Sequence, residues 1–160
     1  MSNQTPSPEE TSAWQKRLAS QANNRAWALT ESISRSAEED EEMLQAAHAA
    51  MYFWKIVGNA SNRAHAAQLL AHTYALLKLP QPAKHYLKQS QPFFLEQESA
   101  PWERALAHAV AASVAAAAGE AEPHARHHEE AERLVAALPD PEDRAILGAT
   151  MRVVPRPVST

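Results

Sequence analysis

The chain has 160 residues, with 15 Lys+Arg against 19 Asp+Glu and a net charge of −4, a balance that argues against non-specific nucleic-acid binding. Its 34 alanines against 3 glycines favour helix over hairpin-rich sheet. The absence of cysteine excludes disulfides, thiolate nucleophiles, Cys-ligated zinc and iron–sulfur clusters.

The start MSNQTPSPEETS has neither a basic nor an apolar stretch, so it does not read as a secretory signal. No window approaches the roughly 18 consecutive apolar residues of a membrane span. A cytoplasmic protein with no membrane partner is expected. Residues 1–7 read as a disordered N-terminus, 8–150 as a single α-helical domain, and 151–160, which include the Pro-broken RVVPRPVST, as a flexible tail.

Ser7-Pro8-Glu9-Glu10 is a capping box with proline at the first helical position, and Trp14, Leu18, Ala22, Ala26, Leu29 and Ile33 follow at helical spacing, predicting a first helix over 8–34. Ser36-Ala37-Glu38-Glu39 is a second capping box. The acidic run 38–42 falls where the helix dipole favours carboxylates, and Met43, Ala47, Ala50, Trp54 and Val57 form the inward stripe of a helix over 37–57 that Gly58 ends. Asn59 or Ser61 caps a third helix reaching about Lys78, with Ala64, Ala67, Leu70, Ala71, Tyr74 and Leu77 inward. Pro80 and Pro82 open a fourth, which Pro92 should bend or end, with Phe93, Phe94 and Leu95 as core beyond the bend. Pro101 starts a fifth that Gly119 ends, a sixth spans 121–138, and Asp140-Pro141 begins a short seventh. No stretch alternates with period two. The fold class expected is all-α, seven helices with short connections and antiparallel neighbours.

Leu70-Ala71, Tyr74, Ala83, Leu87 and Ser90 have the spacing of a tetratricopeptide unit, two antiparallel helices meeting through small residues. A weaker copy, Ala112-Ser113, Ala116 and Ala125, places Ala125 42 residues after Ala83, longer than the ~34 of a regular array. The expected architecture is therefore a tetratricopeptide-repeat-like (TPR-like) helix-hairpin stack. Residues 38–77 also resemble the central motif of a family of small uncharacterised bacterial proteins taken to be tetratricopeptide-like. The features are Asp40-Glu41-Glu42-Met43, Ala46-Ala47-His48-Ala49, Tyr52, Trp54, Val57-Gly58, Asn62-Arg63-Ala64, Gln68 and Tyr74-Ala75. A looser match continues through Pro82-Ala83 and from Ala105 to Gly119. The segment 91–101 and the histidines at 124–128 depart from that pattern. The resemblance implies a helical fold and no particular activity.

Eight histidines invite a metal reading. His124 and His128 are four apart on a predicted helix and Glu132 continues that face, which makes these three the metal candidates. A closed zinc site needs four ligands and no HExxH is present, so a polar helix end is the preferred reading and no bound metal or cofactor is expected. His48 lies beside the inward stripe of the second helix, so it should be largely buried and paired with a neighbouring helix, Asn62, Arg63 or Gln68 being suitable partners. His65, Gln68 and His72 form a polar stripe that reads as a solvated face or as one wall of a groove. There is no GxSxG or SxxK motif, and three glycines leave no phosphate-cradling loop, so no catalytic residue is assigned. The expected function is a non-catalytic module that binds a peptide or protein in a groove lined by the second, third and fifth helices, using His48, Tyr52, Asn62, Arg63, Gln68 and His72. Two alternatives stand beside it. One is a small-molecule- or metal-binding helical protein, an enzyme included, that uses His48. The other is a structural oligomerisation domain, since the alanine-rich faces permit a homo-oligomer.

Overall fold

The computed structural model describes residues 5–158 and, among them, seven helices and no strand. Ser7 and Ser36 each accept a hydrogen bond from the backbone N–H three residues on, while Glu10 and Glu39 reach back to the serine N–H. Both expected capping boxes thus form, and they start α1 (Pro8–Thr30) and α2 (Ala37–Val57). Asn59 and Asn62 make the same reciprocal pair ahead of α3 (Ala60–Leu76). Proline occupies the first turn of α4 (Pro80–Leu95), α5 (Pro101–Ala117) and α7 (Pro141–Val153), and α6 (Ala121–Ala137) completes the set. None of these helices is long and apolar enough to cross a membrane.

Several boundaries differ from the sequence expectation for identifiable reasons. The helix α1 ends at Thr30 rather than 34, because Arg35 donates to the carbonyls of Leu29 and Ser32 and pulls the chain into a tight loop. Ile33 is consequently exposed. Pro92 lies inside α4, which continues to Leu95, since near a helix end the ring removes only one hydrogen bond. Gly58 ends α2 in an extended conformation, and its reason is space. A Cβ there would lie 2.6 Å from the Trp54 carbonyl oxygen and 2.9 Å from Asn62 Cβ. The tail expected over 151–160 is packed at its start, where α7 runs to Val153 and Val154 is buried. Of the expected disordered N-terminus, residues 1–4 lie outside the described residues, as do 159–160 of the tail, and Ser7 is the α1 cap.

Each helix packs chiefly on its chain neighbour in the pairs α1–α2, α3–α4 and α5–α6, and the odd-numbered helices α1, α3, α5 and α7 touch in succession. The second and third pairs repeat. The helix α3 starts at Ala60 and α5 at Pro101, 41 residues later, and both have 17 residues. Both end in the same turn. The N–H groups of Lys78 and Leu79 bond back to Ala75 and Tyr74, and those of Gly119 and Glu120 bond back to Ala116 and Ala115, with φ of 59° at Lys78 and 70° at Gly119. The repeat is 41 residues rather than 42, and Ala125, taken as the partner of buried Ala83, is exposed.

The main core joins Ala71, Ala75, Leu106, Val110, Val114, Leu138 and Leu147, with Trp27, Tyr74 and Tyr86 against it. A smaller cluster of Ala26, Ala47, Leu69 and Leu70 ties the first pair to α3. Alanine at these contacts lets helix axes approach to the short end of the usual 8–10 Å. The helices α3 and α5 each bury ten residues distributed around their whole circumference, so the alanine-rich run at 107–119 is a central helix. At the chain start the opposite holds. Trp14 and Leu18, expected inside, are 60% and 42% exposed, because α1 has neighbours on one side only and its first three turns bury no side chain fully.

Candidate functional site

Three partly exposed tryptophans gather where α1, α2, α3 and α5 meet. Ser20, Asn23, Asn24 and Trp27 of α1, Trp54 of α2, Asn62 and His65 of α3, and Trp102 and Leu106 of α5 line a groove of about 360 Å³. Three of the four tryptophans of the chain stand in it, and no Lys, Arg, Asp or Glu does. The spacing Ser20, Asn23, Asn24, Trp27 puts these four on one face of α1.

The groove walls are fixed by contacts beneath them. The His65 ring stacks on Trp102, with centroids 5.6 Å apart and planes within 10°, and it meets Phe94 at 4.7 Å. His65 Nε2 lies 2.9 Å from Glu103 Oε1, and because a carboxylate only accepts, the imidazole holds its proton at Nε2. The other oxygen of Glu103 accepts from the Ala100 N–H at 2.9 Å, so one carboxylate fixes both the ring and the start of α5. On the opposite wall, Trp27 stacks on His72 at 5.9 Å and rests on the main core.

Of the six residues expected to bind a partner, only Asn62 lines this groove. Gln68 and His72 are buried, 1% and 0% exposed, which corrects the expectation of a solvated or partner-facing stripe. The reason is that α3 is central, with α1, α2, α4 and α5 all packed on it. Gln68 Oε1, both ring nitrogens of His72 and Thr73 Oγ1 find no hydrogen-bond partner in the protein. Burial, with Arg35 nearby, holds the His72 pKa down to about 4, so the ring is neutral at physiological pH.

His48 is half-buried rather than largely buried. It pairs with α3 as expected, but through Tyr74, with Nε2 2.7 Å from the Tyr74 hydroxyl, and not through Asn62, Arg63 or Gln68. Tyr74 in turn stacks on Tyr86 within 3° of parallel. Burial lowers the His48 pKa and raises that of Tyr74, so the contact joins two neutral groups. Tyr52 is exposed and meets the Phe53 ring edge-on. Arg63 donates to the Gly58 carbonyl and borders a separate depression with Met51, Lys55 and Phe93.

The acidic run is used within the fold. Asp40 pairs with Arg35, Glu39 caps α2, and Glu42 takes a two-pronged bond from Arg25 at 2.6 and 2.8 Å. The Arg25 guanidinium lowers the Glu42 pKa through that hydrogen bond. Among the metal candidates, His124 Nε2 donates to the Pro155 carbonyl at 2.7 Å, and His128 Nδ1 stands 3.8 Å from Glu132. Among the described residues no three His, Asp or Glu side chains are grouped to hold a metal ion.

Two arrangements escaped the sequence reading. One is the groove itself, whose signal was the face Ser20, Asn23, Asn24, Trp27 running beside the apolar stripe of α1. The other joins α5 and α6. His108 Nδ1 and His127 Nδ1 are 2.9 Å apart, so one ring must donate and the other accept. Burial first, and for His108 the neighbouring His127, lowers both pKa values. Comparison with known protein families, curated proteins and solved structures finds no match for the chain.

Proposed function

We propose that this chain is a non-catalytic binding module of the tetratricopeptide-like type, a stack of antiparallel helix hairpins that holds an extended peptide segment of a partner protein. The observation that carries the reading is the gathering of Trp27, Trp54 and Trp102 around one solvent-open groove on the side where α1, α3 and α5 follow one another. Binding energy concentrates in aromatic anchors, and amide side chains beside them suit backbone recognition. The 41-residue repeat of pair and turn, and the succession of odd-numbered helices, support the stacked-hairpin architecture. The binding set is thereby Asn24, Trp27, Trp54, Asn62, His65 and Trp102. His48 and Tyr74 serve packing in this reading.

Panning a random peptide library against the wild-type chain, with counter-selection against a Trp54→Ala variant, tests it. Trp54 belongs to none of the core clusters, so its replacement is expected to spare the core, and the circular dichroism and thermal melt of the variant check that. Peptides that bind the wild type and lose about tenfold or more on the variant are expected. Failure to enrich any peptide that depends on Trp54 would sink the proposal.

A further inference from the structure

On the reading that the groove receives a peptide, its charge and its open acceptors narrow the side chain it takes. Glu103 lies against His65 in the groove wall, its side chain 15% exposed. Its two oxygens accept from His65 Nε2 and from the Ala100 N–H, and among the described residues no Lys or Arg nitrogen pairs with it. The neighbouring cations are engaged elsewhere. Arg25, beside Asn24, is held two-pronged by Glu42, and Arg104, beside Glu103, acts on His108 and Glu130 on the side of α6. The groove thus has a negative charge in its wall and no Lys or Arg in its lining.

The same contacts decide which polar atoms stay open. With its proton at Nε2, the His65 ring keeps a lone pair on Nδ1 that no protein donor takes. Asn23 Nδ2 donates to Asn24 Oδ1 at 3.4 Å, which leaves Asn23 Oδ1 open, and Ser20 Oγ makes no bond within the protein. These three acceptors share the groove with the indoles of Trp27, Trp54 and Trp102. The Nδ2 donors of Asn24 and Asn62 are open too, since both amide oxygens are taken, and they suit the carbonyls of a bound backbone. A side chain that carries positive charge, only donates, fans its donors in one plane and stacks on indole is a guanidinium. It is more weakly hydrated than an ammonium, so it gives up less on leaving water, and tryptophan is its best aromatic partner. We infer that the tryptophan groove takes an arginine side chain of the partner segment, its guanidinium stacked on an indole and donating to the acceptors of Ser20, Asn23 and His65, with Glu103 supplying the opposing charge.

The test uses the full chain and three capped nonapeptides, followed by tryptophan fluorescence and by the indole N–H resonances. Each peptide is three copies of Gly-Ser-X, with X as arginine, as citrulline, which keeps the shape of arginine without its charge, or as lysine. The arginine peptide is expected to bind saturably and to shift the indole resonances. The citrulline peptide should bind about tenfold more weakly or worse, and the lysine peptide more weakly than the arginine one. Trp54→Ala should cost the arginine peptide about tenfold. Glu103→Gln keeps an acceptor for the Ala100 N–H and should remove most of the preference for arginine over citrulline. If that variant loosens α5, Trp54→Ala carries the test alone. Equal binding of the arginine and citrulline peptides, with the same loss on Trp54→Ala, would overturn the arginine inference and leave the peptide-binding reading standing. A lysine peptide that binds as tightly as the arginine one overturns the guanidinium assignment. Arginine-peptide binding that Trp54→Ala leaves unchanged places its site elsewhere, and the inference falls. If none of the three binds, the arginine inference falls, and the library panning decides the peptide-binding reading by itself.

Discussion

His72 is neutral in the fold because burial strips the water that would solvate an imidazolium, and Arg35 disfavours a second positive charge. The consequence for stability has a definite sign. The unfolded chain takes up a proton near the ordinary value of 6.5, whereas the native ring does so only near 4. As pH falls through that window the unfolded state binds more protons than the native one, and stability drops. Below about 4 the loss levels off. A gap of this size corresponds to about 3 kcal/mol. His48, His108, His127 and His128 have pKa values lowered by burial and act in the same direction. Urea unfolding at several pH values, on the wild type and on His72→Leu, isolates the His72 share. The variant should lose about 3 kcal/mol less between pH 7 and pH 4. At pH 7 it should be at least as stable as the wild type, since two orphaned nitrogens are replaced by apolar surface. Parallel curves for the two proteins would refute the assignment. The same residue shows where sequence reading stops. Helical spacing places Gln68 and His72 on one stripe, but it does not say that α1 lies across that stripe with Trp27.

At the scale of elements, the chain marks most helix starts in its own chemistry. The boxes at Ser7, Ser36 and Asn59 and the prolines at 80, 101 and 141 each act through a local pair of hydrogen bonds or one fixed dihedral, so six of the seven helix starts are legible. What is not legible depends on contacts distant in sequence: the early end of α1, the space around Gly58, and the covering of α3. Lys78 is a further case. It occupies the left-handed position of a turn whose counterpart, 41 residues on, is Gly119. A side chain there is crowded by about 1–2 kcal/mol, partly offset by the lower chain entropy that a lysine loses relative to glycine. Lys78→Gly should therefore stabilise the protein by about 0.5–1 kcal/mol, a rise of roughly 2–4 °C per kcal/mol in melting temperature. Gly119→Ala should destabilise by about 1 kcal/mol, because space is open around it and only the backbone conformation objects. Thermal melts of the two variants check this. A neutral result for both would mean that the two turns carry no strain worth relieving.

At the scale of the molecule, stability should be graded from the central helices outward. The helices α3 and α5 are each packed from several sides and contribute most of the main core. The first pair reaches the rest through a cluster of two alanines and two leucines, reinforced by Trp27 resting on the main core. A helix pair with neighbours on one side only opens at lower free energy than the helices packed from several sides. Native-state hydrogen exchange should find the slowest amides in α3 and α5, and faster exchange in α1 and α2 as one cooperative unit. The first three turns of α1 should exchange fastest, having no fully buried side chain. Trp27→Ala removes the one side chain of the first pair that packs on both clusters, Tyr74 and Tyr86 of α3 and α4 being the others. It should lower the opening free energy of α1–α2 by about 2 kcal/mol and leave the α5–α6 amides nearly unchanged. The groove makes this gradient matter. Trp27 and Trp54 stand on the pair that opens, and His65 and Trp102 on the part that does not. A ligand that spans both walls must hold the first pair closed, so saturating ligand should slow exchange in α1 and α2 more than in α5 and α6. Uniform exchange throughout the chain, or ligand protection confined to α5 and α6, would show that the two walls do not belong to separately opening units.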